Sequence, residues 1–219
     1  MKLKVLSLTD LERVRLWRNE QQSMLRTPFL LTKEQQEIFY RDVICNRQAN
    51  ARFWGIWIDE KVEYECPLGR KHVVVACHSE MSCYPVCPVG HEWGPQTIGT
   101  FIGMCGLENI SWENRLAEIS LLLNPEYPMD KCGEESLQLL LHEGFMNMNL
   151  ENIYTEVYAC NPNLKFWAYV ADKYGCLMSY LPARKYLDGQ YFSSSYINIS
   201  KGAFVKNENL ISESTQTLN

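Results

Sequence analysis

The chain has 219 residues, 46% of them hydrophobic and 21% charged, with a formal net charge of −5. That length and composition bury enough surface for one folded domain, which excludes disorder as the main state, and the acidic balance excludes a general basic field for holding nucleic acid. No run of about 18 uninterrupted apolar residues offers a membrane span, and Thr9-Asp10 arrive before an apolar signal segment can develop, so a soluble, cytoplasmic protein is expected.

Val5 to Leu8 is an apolar strand candidate, after which Thr9 or Asp10 can cap a helix from Leu11 through Asn19. Gln21 to Leu31, with Arg26, Pro28 and Phe29, reads as an irregular surface connection. Thr32 followed by Gln35 has the pattern of a capping box and opens a second helix to Cys45. Aromatic and β-branched residues make Phe53 to Ile58 a strand, and Val73 to Ala76 could be another. Thr97 to Leu107 carries Gly99, Gly103 and Gly106, which suits a bent strand that another backbone approaches closely. Leu116 to Leu123 is a strongly apolar strand interrupted by one acid, Glu118, whose burial costs free energy unless the carboxylate is paired or has a task.

Past Asn124-Pro125, Leu137, Leu140, Leu141 and Phe145 recur at helical spacing and predict a helix over Gly133 to Asn147. Ile153 to Tyr158 is a strand of alternating character. Asn161-Pro162-Asn163 starts a helix through Lys173 that Tyr174-Gly175 ends. Two last strands, Leu177 to Pro182 and Tyr191 to Ile199, flank the turn residues Asp188-Gly189. The segments form one domain over residues 1–205, followed by a polar, frayed tail at 206–219; no repeat or linker divides them.

Nine cysteines in a long chain without a signal peptide argue against a disulfide scaffold. Cys45, Cys105, Cys132, Cys160 and Cys176 are scattered through periodic segments and read as small buried hydrophobes. The insert from Val62 to Gln96 holds the others, with three histidines. Cys66, Cys77, Cys83 and Cys87 there could ligate a structural zinc, with His78 or His91 as replacements, or they could be free thiols in a mobile loop.

A loop feeding a helix N-terminus presents unpaired amides and the positive end of the helix dipole, so Lys131 to Glu134 suits a diphosphate. Leu16-Trp17-Arg18-Asn19, Ala117-Glu118-Ile119-Ser120 with Leu121 to Pro125, Cys132-Gly133-Glu134-Glu135-Ser136-Leu137, and Asn161-Pro162-Asn163 through Tyr174-Gly175 together resemble the GNAT N-acetyltransferases in order and spacing. Within them the likeness is to the ribosomal-protein and nucleotide-sugar branch. The resemblance implies an α/β fold, a mixed and mostly antiparallel sheet flanked by helices, here with a cysteine-rich insert. It also implies acetyl-CoA as co-substrate.

In that family the phosphate loop reads Gln or Arg, two residues, Gly, one residue, then Gly or Ala. Here Pro128 and Lys131 replace the leading residue and the first Gly, while Gly133 is kept. By the same resemblance Lys131, Cys132, Gly133 and Glu134 would hold the diphosphate. Leu121, Leu122 and Leu123 would offer backbone groups to the pantetheine arm, splaying away from the strand at Ile153 to Tyr158, and Asn161 would lie beside that arm or simply start its helix. Glu118 matches a catalytic glutamate of many relatives, a base for the acceptor amine, or else it is an acid paired with Arg115 or a lysine. The position where relatives place a thiolate-protonating tyrosine holds Ala171, so Tyr169 and Tyr174 are the nearby substitutes, unless they only pack. Trp17, Arg18 and Asn19 match one wall of the acceptor cleft, where Arg18 or Arg26 could meet a phosphate or carboxylate.

The implied function is direct transfer of acetyl from acetyl-CoA to a primary amine: an amino sugar nucleotide, a protein N-terminus or a small amine. The expected partners are that small-molecule or peptide acceptor, with no membrane or nucleic acid, in a monomer or homodimer. The alternative is a non-catalytic module of the same fold that docks a protein or nucleic acid through the cysteine-rich insert.

Overall fold

Ser7 and Asp10 decide where the first helix begins. The Asp10 amide donates to Ser7 Oγ at 3.2 Å and the Ser7 amide to Asp10 Oδ2 at 3.0 Å, a capping box that starts α1 (Leu8–Glu20). Asp10 is thus the third helical residue rather than the cap. The first strand lies earlier than expected, as β1 (Lys2–Lys4), because Leu6 is buried with Leu11 and Val14 at the foot of the helix. The computed structural model describes residues 1–22, 25–26, 29–58, 61–65, 71–75 and 99–216, with the backbone alone for 61–65, 71–75 and 211–216.

Thr32 and Gln35 form the capping box that the sequence predicts, opening α2 (Lys33–Phe39), which runs on through a π-helical turn at Tyr40–Ile44. Next come β2 (Arg52–Ile58), β3 (Lys61–Glu65), β4 (Lys71–Val75), β5 (Thr100–Ser111) and β6 (Leu116–Leu123). Helix α3 (Glu134–His142) has π-helical turns at both ends, Met129–Gly133 and Glu143–Asn147. Then follow β7 (Asn152–Tyr158), α4 (Leu164–Lys173), β8 (Met178–Leu187), β9 (Gln190–Ser200) and α5 (Lys201–Gln216). The last helix replaces the frayed tail expected from Lys206. Ser200 Oγ accepts from the Ala203 amide at its start, and Asn207 Nδ2 donates to Lys173 O at 3.0 Å.

The seven-stranded sheet has the order β1-β2-β5-β6-β7-β9-β8, and β3 pairs with β4 in a separate hairpin. All neighbours in the large sheet are antiparallel except β6 and β7, which are parallel. Glycine in β5 permits close approach: a Cβ on Gly103 would stand 2.5 Å from Leu122 O, and one on Gly106 2.7 Å from Arg52 O. Asp188 and Gly189, at φ 49° and 82°, join β8 to β9 through the two left-handed residues a tight hairpin needs.

The sheet is covered on both faces. α3, α4 and α5 bury Leu137, Leu140, Phe166, Val170 and Phe204 against Ala117, Ile119, Ile153 and Ile197. Opposite them, α1 packs Leu11 and Val14 on Phe101, Met104 and Leu122. Each such fully buried large side chain contributes about 1.5–3 kcal/mol relative to exposure. Cys105 and Cys132 are buried as expected, whereas Cys45 is exposed; all five described cysteines are free. Cys66, Cys77, Cys83 and Cys87 lie outside the described residues. Among the described residues no group of three His, Cys, Asp or Glu side chains is placed to hold a metal, and no helix is long and apolar enough to cross a membrane.

Candidate active site

Parallel pairing of β6 with β7 extends only over Leu116↔Asn152, Ala117↔Ile153 and Glu118↔Tyr154. Beyond it a cleft lies between Ile119–Leu121 on one strand and Thr155–Tyr158 on the other, with Arg18 and Arg26 from the α1 side and Asn161 and Trp167 from the α4 side. Glu118 stands at the mouth of this opening and is 8% exposed.

Three neighbours hold its carboxylate. Arg26 donates to both oxygens, Nη2 to Oε1 and Nη1 to Oε2, the latter at 3.3 Å. Asn109 Nδ2 donates to Oε2 at 2.8 Å. Asn109 has φ 50°, and its pairing with β6 is interrupted between Glu108 and Ser111, so an irregularity in β5 delivers this amide. The third neighbour is Tyr154, whose phenol is raised above its ordinary pKa by burial and by the charge on Glu118. The partner of Glu118 is therefore Arg26 rather than Arg115, which is bound to Asn149 and Glu151.

A second carboxylate lies on the same face. Glu156 accepts from Arg184 Nε at 2.8 Å and from Ser194 Oγ at 2.7 Å, and Arg26 Nη2 is 3.7 Å from its Oε2. The Arg184 hydrogen bond keeps the Glu156 carboxyl below the usual carboxylate range, against the opposing effect of burial. Burial works against the charge on Arg26, yet the bonds to Glu118 and Tyr158 outweigh it and the guanidinium pKa is raised. The segment carrying Arg26 is pinned on both sides: Lys185 Nζ donates to Leu25 O at 2.7 Å, and Asn19 exchanges two bonds with Leu31, at 3.0 and 2.9 Å.

Of the residues expected along the acceptor wall, Arg18 and Arg26 line the cleft, and burial lowers the Arg18 pKa while Glu108 opposes that. Trp17 is instead stacked on Phe101, with ring centroids 5.5 Å apart, and Asn19 latches a loop. Tyr174 is buried against Phe204, and burial drives its phenol pKa well up. Tyr169 donates to Glu134 Oε1 at 2.8 Å, a bond that raises its pKa. Neither Tyr169 nor Tyr174 lines this cleft; Tyr158 is the tyrosine found there. Tyr154, Glu156 and Tyr158 share one face of β7, and the alternation seen in that strand was the available signal for them. Asn109 had none.

At the start of α3 the π-helical turn shifts the open amides. The Cys132 amide already donates to Pro128 O at 3.0 Å and that of Glu134 to Lys131 O. Met129, Asp130 and Lys131 therefore present the unpaired first-turn amides, rather than Lys131 to Glu134. A Cβ on Gly133 would lie 2.4 Å from Met129 Sδ, so the retained glycine makes room for that thioether. Glu134 accepts from Lys173 Nζ at 2.9 Å, which holds its carboxyl below the usual range.

A family model described as the acetyltransferase (GNAT) domain matches residues 1–165. The chain belongs to the GNAT acetyltransferase family. A search of curated proteins finds no match. Among solved structures, a variant of the spermidine N-acetyltransferase of Vibrio cholerae is 16% identical at a TM-score of 0.64, covering 95% of this chain and 99% of that one. The Vibrio cholerae enzyme in complex with CoA and spermine is 17% identical at 0.65, covering 93% and 97%. At these identities the likeness shows the fold.

As a GNAT acetyltransferase the chain transfers acetyl from acetyl-CoA to a primary amine. Its own residues fit that co-substrate. The parted strands leave a slot beside Leu121, the first-turn amides of Met129–Lys131 could meet an anion, and Lys173 offsets the charge of Glu134 that would otherwise repel a diphosphate. Leu122 and Leu123 have buried side chains, so only their backbone could meet a pantetheine arm.

Proposed function

We propose that this enzyme acetylates a small primary amine and that Glu118 receives the proton the amine must lose. The observation that carries the reading is a buried carboxylate at the point where β6 and β7 part, beside the slot for the thioester. The amine nitrogen attacks the thioester carbonyl carbon, the carbon–sulfur bond breaks, and CoA leaves as a thiolate. Glu118 takes the nitrogen's proton directly or through a water. Tyr158, in the same cleft, can return a proton to the sulfur.

Pantetheine would run along Ile119 to Leu123, with the diphosphate at Met129–Lys131 and Asn161 beside the arm. Asn161 Oδ1 also accepts from the Asn163 amide at 2.8 Å, so its side chain is held in place. A small amine is favoured over the acceptors of the ribosomal-protein and nucleotide-sugar branch, because Trp17 and Asn19, two of the residues that carried that likeness, serve the core and a loop. The acceptor named for the Vibrio cholerae neighbour, spermidine, agrees with this choice. Free thiols at all five described cysteines support a reducing, cytoplasmic setting.

Replacing Glu118→Gln keeps the shape and removes the base. Turnover of acetyl-CoA with an amine panel, read as released thiol, is expected to fall about 100-fold or more with CoA affinity unchanged. Undiminished turnover would remove Glu118 from this role.

A further inference from the structure

The Arg26 guanidinium bridges two carboxylates at the place where the acceptor's nitrogen must arrive. It bonds both oxygens of Glu118 and lies 3.7 Å from Glu156, yet its side chain is 54% exposed, while those of Glu118 and Glu156 are 10% and 11% exposed. The anions are thus buried, and the cation is the solvent-facing member. Glu156 is anchored independently by Arg184 and Ser194, and Glu118 by Asn109, so both carboxylates keep partners when the guanidinium leaves.

Arg26 and Asn109 together fill three of the roughly four acceptor positions of the Glu118 carboxylate, so an arriving ammonium competes with the guanidinium for its oxygens. Building on the reading of Glu118 as base, we propose that Glu118 and Glu156 together form the site for the acceptor's ammonium group. Arg26 is the chain's own occupant of that site, and a cationic amine displaces it. The acceptor class follows: an alkylammonium whose charge replaces that of the guanidinium between the two carboxylates. An anionic acceptor would meet Glu118 and Glu156 unscreened once Arg26 turned toward it.

Competition by an internal cation lowers apparent affinity by the fraction of time the site is open, about tenfold if it is closed nine-tenths of the time. The test is calorimetric titration of the full chain, in the presence of CoA, with spermidine as the probe amine. Arg26→Ala is expected to bind spermidine about five- to tenfold more tightly than the unaltered protein. In Arg26→Ala, methylguanidinium, the head of the missing side chain, should compete with spermidine. Arg26→Lys should fall between the two, and Glu156→Gln should bind at least about fivefold more weakly, since one of the two charges is gone.

Weaker or unchanged binding to Arg26→Ala, no competition by methylguanidinium, or no spermidine binding to any form overturns the proposal. A merely structural Arg26 would lower the melting temperature on removal without tightening the amine or admitting methylguanidinium. These readouts need no turnover, so they stand apart from the loss of activity in Glu118→Gln that tests the base.

Discussion

Glu134 and Glu156 show how a single carboxylate ties the active-site surroundings to pH. Lys173 holds the first and Arg184 the second below the ordinary carboxylate range. A depressed folded-state pKa stabilises the fold fully above the unfolded value, about 4.3 for Glu, and that stabilisation is lost as pH falls through the lower folded value. Melting temperature is therefore expected to be flat with respect to these two groups above about pH 5 and to fall on acidification below about pH 4. A Glu134→Gln, Glu156→Gln double variant should melt lower at neutral pH and lose less on acidification; parallel curves for the two proteins would show that neither group is linked to folding. Glu118 could be singled out in the sequence because it is the only acid in an apolar strand. Its partners could not, since Arg26 comes from an irregular segment and Asn109 is turned toward Glu118 by a left-handed backbone position in a strand whose composition gives no hint of it.

The strands and helices were legible wherever hydrophobic periodicity or a capping pattern was strong: β6 begins and ends where the apolar run does, and Thr32–Gln35 opens α2. They were misread where a short-range hydrogen bond outweighed composition. Ser7 with Asp10 moves the start of α1, and α5, begun at Ser200, runs on past Lys206 through residues whose polarity suggested a tail. Glycine content in β5 did announce close packing, and it carries a prediction. Gly103→Ala would set a methyl 2.5 Å from a backbone oxygen of β6, which cannot turn aside as a side chain could. Overpacking of this kind costs about 2–3 kcal/mol, or about 5–10 °C in melting temperature for a chain of this size. Gly202→Ala in α5, where nothing lies within 4 Å of the added atom, should instead leave the protein equally or slightly more stable. Equal melting temperatures for the two variants would mean that β5 and β6 are free to separate at Gly103.

The sheet as a whole is two antiparallel halves, β1-β2-β5-β6 and β7-β9-β8, joined through three parallel pairs at one end of β6 and β7. Strand order of this kind follows from no local pattern, because periodicity marks strands without saying which lie side by side; the family resemblance implied only that β6 and β7 are neighbours that splay apart. The joint makes a coupled prediction. A ligand that fills the opening supplies hydrogen bonds to both halves and links them over a greater length than the three residue pairs do. Coenzyme A at 100 times its dissociation constant should add about 2.7 kcal/mol, which at about 2–4 °C per kcal/mol is a rise of about 5–11 °C. Amide hydrogen exchange should slow together at Ile119 to Leu123 and at Thr155 to Tyr158, with β8 and β9 following, because opening of either half then requires loss of the ligand. Protection confined to Met129–Lys131 would mean that only the diphosphate is held and that the two halves remain uncoupled.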